Sequence, residues 1–122
     1  MVMRAKPLVL GLLAAIAGTN ATTARAMDSV KGEIVDLACY MGHPNPEKMR
    51  GPSHRKCADM CLKKGMPIGL VTDDKQVYLL LEDHDNPNPY QALKEKAAET
   101  VTVEGNKVSV GGSQGFVVEV LK

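Results

Sequence analysis

Short segments in which apolar and polar residues alternate run through the chain from residue 32 onward, and they limit its fold more than any other feature. Alternation of this kind is typical of β-strands with one buried face. Turns rich in glycine, proline and aspartate separate the segments. We predict strands at 32–41, 68–72 and 76–82, and two or three more strands from the segments 100–105, 107–110 and 116–121. In the first of them, the more uniformly apolar set is predicted to point inward, namely Val35, Leu37, Cys39 and Met41.

Two short helices interrupt the strands. The first is predicted over 54–64, with Ser53 as its N-cap and Gly65 as its left-handed C-terminal residue. The second is predicted from Asn88 to Glu99, with Asn88 as its cap. A parallel α/β sheet needs a helix after each strand, so this order favours a small antiparallel barrel. The fold class is therefore mainly β with some α, an OB-like five-stranded antiparallel barrel with two short helices.

The first 26 residues have the three parts of a secretory signal in the correct order. Arg4 and Lys6 precede the apolar run 8–18, and the sequence Ala24-Arg25-Ala26 fits a cleavage site. That run is too short for a permanent transmembrane helix, which needs about 20 residues. We therefore predict residues 1–26 as a signal peptide and 27–122 as one soluble domain, periplasmic or secreted after cleavage near Ala26.

Removal of this segment changes the formal net charge from +1 to −2. A weakly acidic chain gives no reason to expect a nucleic-acid partner. The aromatic residues that single-strand binding requires are also few, with three tyrosines, one phenylalanine and no tryptophan. Neither a nucleophile elbow nor a phosphate-binding glycine loop is present, so we predict a protein that is not an enzyme.

Export makes the three cysteines informative, because exported thiols tend to be oxidised or bound to metal. His54, Cys57 and Cys61 fall within a 60° arc of the predicted helix, since an α-helix turns about 100° per residue. Cysteines four apart on a helix have Cβ atoms about 5 to 6 Å apart, too far for an undistorted disulfide. Cys39 is therefore the expected disulfide partner, of either Cys57 or Cys61.

The alternative to a disulfide is one metal ion held by Cys39, His54, Cys57 and Cys61. Three thiolates and an imidazole suit Zn(II), whereas fewer ligands together with a methionine suit Cu(I). Methionines are frequent near these segments, which favours copper over zinc. The C-x-x-x-C spacing is similar to that of the exported Sco-type copper chaperones, although Leu62 stands where those proteins have proline. A third reading makes Cys57 a reactive thiol, because Arg55 and Lys56 stand beside it.

The segments GEIVDLACY, HRKCADMC, GMPIGLVTDDKQVYLLL and VTVEG together resemble small exported bacterial domains of uncharacterised function. The resemblance covers nearly all of residues 27–122, and it implies an OB-like barrel without implying an activity. Two functions follow as expectations. The first is metal handling, Cu(I) before Zn(II), and the second is a non-catalytic binding module for a protein or an anionic glycan, stapled by a Cys39 disulfide.

Overall fold

The computed structural model describes residues 26–122 continuously and, before them, only residues 3–5, 7, 11, 14, 15 and 18. Most residues of the predicted signal peptide lie outside the described residues. The β-strands are β1 Asp28–Asp36, β2 Ile68–Val71, β3 Val77–Glu82, β4 Thr100–Val110 and β5 Ser113–Leu121. The α-helices are α1 Leu37–Gly42, α2 Arg55–Lys63 and α3 Asn88–Leu93, and two 3-10 turns span Pro46–Met49 and Pro52–His54.

The five strands form a closed barrel in the order β1-β2-β3-β5-β4, which confirms the predicted fold class. Four neighbouring pairs are antiparallel, and β3 pairs with β5 in parallel, so the barrel is mixed rather than wholly antiparallel. Closure leaves β1 between two partners. Its first half pairs with β4, and its second half pairs with β2, where Asp36 lies opposite Ile68.

The prediction for the first strand is wrong in its length and in its inward face. β1 ends at Asp36, and the alternation that seemed to continue through Met41 belongs to helix α1. Val30 and Ile34 face the barrel core, whereas Val35 packs in a separate cluster with Tyr40 and Val71. The inward set is thus the even-numbered one, and Asp36 continues it.

The helices differ from the predictions mainly at their ends. Neither Ser53 nor Asn88 is an N-cap, because a 3-10 turn precedes α2 and because α3 begins at Asn88, after Pro87. Helix α3 is also shorter than predicted and ends at Leu93. Gly65 does have the predicted left-handed conformation, with φ of 93°. The hairpin between β2 and β3 is confirmed. Its turn contains no glycine, and Lys75 adopts the positive φ there.

The barrel interior is filled by apolar side chains from all five strands and from helices α2 and α3. Phe116 is fully buried at its centre and meets Tyr78 edge to face, with ring centroids 6.2 Å apart. The same cluster includes Ala58 and Leu62 of α2, so this helix lies against the barrel and covers part of the core. Among the described residues, no helix is both long and apolar enough to span a bilayer.

Candidate metal centre

Asp36 ends strand β1 and begins helix α1. Its Oδ1 accepts hydrogen bonds from the backbone N–H groups of Ala38 at 3.1 Å and Cys39 at 3.4 Å, so it caps the helix. Aspartate is among the preferred N-cap residues because its carboxylate satisfies N–H groups that have no partner within the helix. The side chain is nevertheless fully buried, and its Oδ2 has no hydrogen-bond partner of ordinary geometry.

The C-terminal turn of helix α2 places Cys61 near this carboxylate. The N–H of Met66 donates to the carbonyl of Cys61 at 3.1 Å, and the N–H of Gly65 donates to Leu62 at 3.0 Å, which is a Schellman motif. The chain then reaches Pro67, whose carbonyl accepts from the N–H of Leu37 at 3.0 Å. The start of α1 is therefore joined to the segment that follows α2 by one backbone hydrogen bond.

Three ligand atoms meet at this junction. One carboxylate oxygen of Asp36 and the Sγ atoms of Cys39 and Cys61 all lie within 4.8 Å of one another. Both cysteines are half-buried, and Asp36 is buried completely. A carboxylate and two thiols in one partly enclosed place form the candidate metal centre.

The thiols at this centre hold their protons strongly. The pKa of Cys39 is raised from 9.0 to about 12, chiefly because its thiol donates to the Asp36 carboxylate, and also because of burial and the negative charge of Asp36. The pKa of Cys61 is raised by the same causes in the same order. Neither thiol is therefore activated as a nucleophile near neutral pH, since the thiolate is the reactive form.

The structure places the four predicted ligands unequally. Cys39 and Cys61 come together, as predicted, although Cys39 lies on helix α1 rather than inward on a strand. Cys57 is exposed and lies outside the group of three, one turn before Cys61 on α2. His54 also lies outside the group, and its buried Nε2 has no hydrogen-bond partner among the described residues.

The buried stripe of α2 explains the position of Cys57. Ala58 and Leu62 are the buried residues of this helix, so the packed face lies one residue beyond the predicted thiol face. Cys61 borders that stripe on one side, whereas Cys57 points to solvent. Of the two cysteines predicted within one 60° arc of this helix, only Cys61 is therefore partly covered by the barrel, and Cys57 is exposed.

Sequence reasoning missed Asp36, which the alternating pattern assigned to the outer face of the first strand. The signal that identifies it is its position before Leu-Ala-Cys-Tyr-Met, because aspartate followed by residues with few β-branched side chains is typical of a helix start.

All three cysteines are among the described residues and are free thiols.

Comparison of the chain with models of protein families, with curated proteins and with solved structures gave no match. The functional argument therefore depends on the chemistry of the residues alone.

Proposed function

We propose that this protein binds one metal ion through Asp36, Cys39 and Cys61 and handles that metal in an exported compartment. The observation that carries the proposal is the Asp36 carboxylate, which is fully buried beside two thiols and whose Oδ2 has no hydrogen bond of ordinary geometry among the described residues. A thiol is only a weak donor, so it compensates the buried charge poorly, and a bound cation would compensate it better. A protein retains such a group more readily where it has a chemical role.

The spacing of the three donors suits a tetrahedral ion. With Zn–S bonds of about 2.3 Å, two thiolates on one tetrahedral zinc ion lie about 3.8 Å apart. The donors of this centre lie within 4.8 Å of one another, so small side-chain rotations bring them to that distance. The fourth position is left for a water molecule or for His54, whose Nε2 is also buried without a partner.

The carboxylate reverses the order of metals that the sequence favours. Zn(II) accepts oxygen and sulfur ligands together, whereas Cu(I) prefers sulfur alone. We therefore place Zn(II) before Cu(I). Copper remains the second metal because three exposed methionines, Met41, Met60 and Met66, lie on or next to the helices that carry the thiols.

Metal binding at this centre must release protons, because the thiols are protonated before the ion arrives and ligate as thiolates. The raised pKa values of Cys39 and Cys61 add to this requirement. The apparent affinity is therefore expected to rise with pH in the neutral and weakly alkaline range. Catalysis by Cys39 or Cys61 as a nucleophile has no support from these same pKa values.

A second candidate function is a binding module stapled by a disulfide. Because Cys39 and Cys61 are in one group and Cys57 is outside it, the pairing that this function requires is Cys39 with Cys61. An apolar groove with a volume of about 330 Å³ lies between α1 and strands β3 and β5, lined by Leu37, Met41, Val77 and Leu79, and it would contact a protein partner.

The test is a zinc and copper titration of protein expressed from the full-length sequence and kept reduced. We expect one ion per chain, with binding lost in both Cys39→Ser and Cys61→Ser. A count of free thiols in protein taken directly from the exported compartment separates the two functions. One free thiol together with no stoichiometric metal after reduction would rule out metal handling and favour the stapled module.

A further inference from the structure

Exposure to solvent decreases stepwise over three residues, from Cys57 outside the candidate metal centre to Cys61 and Asp36 within it. Cys57 is exposed, Cys61 is half-buried, and Asp36 at the inner end is fully buried. Cys57 and Cys61 lie one turn apart on helix α2. Residues four apart on a helix lie on one side of it, so this pair can hold one ion between two sulfur atoms.

Cys57 is poorly placed as a permanent ligand. Its Sγ is outside the group in which Asp36, Cys39 and Cys61 lie within 4.8 Å of one another. It is nevertheless four residues from Cys61 on the same helix, so the two side chains lie on one side of α2, and Cys61 belongs to that group. An ion held by Cys57 and Cys61 therefore reaches the inner centre by exchanging only one sulfur ligand for Cys39, with Cys61 bound throughout.

Resting on the proposed function, we propose that Cys57 is the exchange ligand of the metal centre, the residue through which the ion arrives and leaves. The donor is a thiolate complex of the metal, carried by a small thiol or by a cysteine-containing protein, and the acceptor is the same kind of carrier without its metal. A metal complex of two thiolates from an acidic carrier such as glutathione has a net negative charge. Arg55 and Lys56 lie directly before Cys57, are exposed and make no ion pair among the described residues, so they would attract such a carrier.

The transfer is a series of ligand exchanges without oxidation or reduction. The Cys57 thiol loses its proton to one leaving carrier thiolate as its sulfur binds the ion, and Cys61 replaces the second carrier thiolate in the same way. Cys39 then replaces Cys57, and the proton of Cys39 passes to the sulfur of Cys57. The net change is that Cys39 and Cys61 lose one proton each, two carrier thiols gain them, and the ion keeps its oxidation state.

The experiment compares equilibrium and kinetics in the full chain, with Zn(II) complexed by glutathione as the metal donor and EDTA as the acceptor. For Cys57→Ser we expect zinc affinity within about threefold of the unsubstituted protein, because the three inner ligands remain. Both transfer rates are expected to fall about tenfold or more, because the first chelating pair is lost. Met60→Leu is the matched control, since it changes an exposed sulfur on the same helix, and its rates should not change.

Two results would overturn this inference while leaving the metal centre in place. An affinity loss in Cys57→Ser as large as that in Cys61→Ser makes Cys57 a permanent ligand. Unchanged transfer rates in Cys57→Ser remove it from the path. If the unsubstituted protein binds neither zinc nor copper, the proposed function itself fails, and the exchange role fails with it.

Discussion

The barrel core and the candidate metal centre both include residues of strand β1, Ile34 and Asp36, which are two positions apart. The first region is apolar, and the second is polar. Ile34 is fully buried among apolar side chains, together with Phe116 and Leu70. Asp36 is equally buried, yet it is a carboxylate with one oxygen unpartnered, beside two thiols. The barrel core stabilises the fold by excluding water, whereas the buried carboxylate of the candidate metal centre lowers the stability of the metal-free protein.

This difference shows where chemistry is accommodated in a small barrel. The barrel interior is filled almost wholly by apolar side chains, whose burial stabilises a domain of this size. The end of β1 is different, since helices α1 and α2 cover it from outside the sheet. A buried polar group there disturbs only the junction of two short helices, and the barrel remains intact.

The largest effect is expected from a cavity in the interior. Phe116→Ala should lower the free energy of unfolding by about 3 to 5 kcal/mol, because it removes the largest fully buried side chain and leaves a void. Chemical denaturation measures this change. Val110→Ala is the control, since Val110 is 79% exposed and its truncation should change stability by less than about 0.5 kcal/mol. A loss of similar size in both variants would contradict the described core.

The next effect belongs to the thiol site and separates the two roles of Asp36. Asp36→Asn keeps a good N-cap, so we expect nearly unchanged stability of the metal-free protein, whereas Asp36→Ala should cost about 1 kcal/mol. Both variants should bind zinc at least about 10 to 100-fold more weakly, because the carboxylate ligand is lost. Zinc titration and denaturation of the same samples check this. Full zinc affinity in Asp36→Asn would leave the carboxylate as a helix cap only.

A smaller effect is expected at alkaline pH, where the Cys39 thiol of the candidate metal centre titrates. The pKa of Cys39 is 9.0 without its surroundings and about 12 in the folded protein, so above pH 9 the unfolded chain loses a proton that the folded chain retains. Ionisation then favours the unfolded state, and stability falls as pH rises from 9 towards 12. Denaturation of metal-free protein across this range should show a shallower fall in Cys39→Ser. Equal slopes would mean that the Cys39 thiol is not held protonated by Asp36.

Most of the fold follows from the sequence because the barrel depends on patterns that are local. Alternation identifies β2, β3 and β5 within a few residues, and Gly65 marks the end of α2 through its positive φ. The segments predicted at 100–105 and 107–110 are one continuous strand, β4. The parallel pairing of β3 with β5 is a long-range feature. The end of β1 was missed because Leu-Ala-Cys-Tyr-Met alternates like a strand, although Asp36 caps it as a helix.

The site follows from the sequence only in part. That Cys39 and Cys61 meet was expected, because a helix that covers the first strand brings them together. The role of Asp36 could be predicted only by knowing which face of β1 is inward. The close packing at Gly32 agrees with the even-numbered face, which is not the face that the sequence predicted. A Cβ atom on Gly32 would lie 2.5 Å from both Leu70 Cδ2 and the Val71 carbonyl oxygen, so strand β2 crowds this position from the inner side. That contact lies between segments distant in sequence.

The most direct test of the metal centre is X-ray absorption spectroscopy at the zinc edge on the singly loaded protein. The proposed ligands, Asp36, Cys39 and Cys61, predict two sulfur neighbours at about 2.3 Å and oxygen or nitrogen neighbours at about 2.0 to 2.2 Å. The same spectrum is expected from Cys57→Ser. A shell of three sulfur atoms, or one with no sulfur at all, would contradict the assignment.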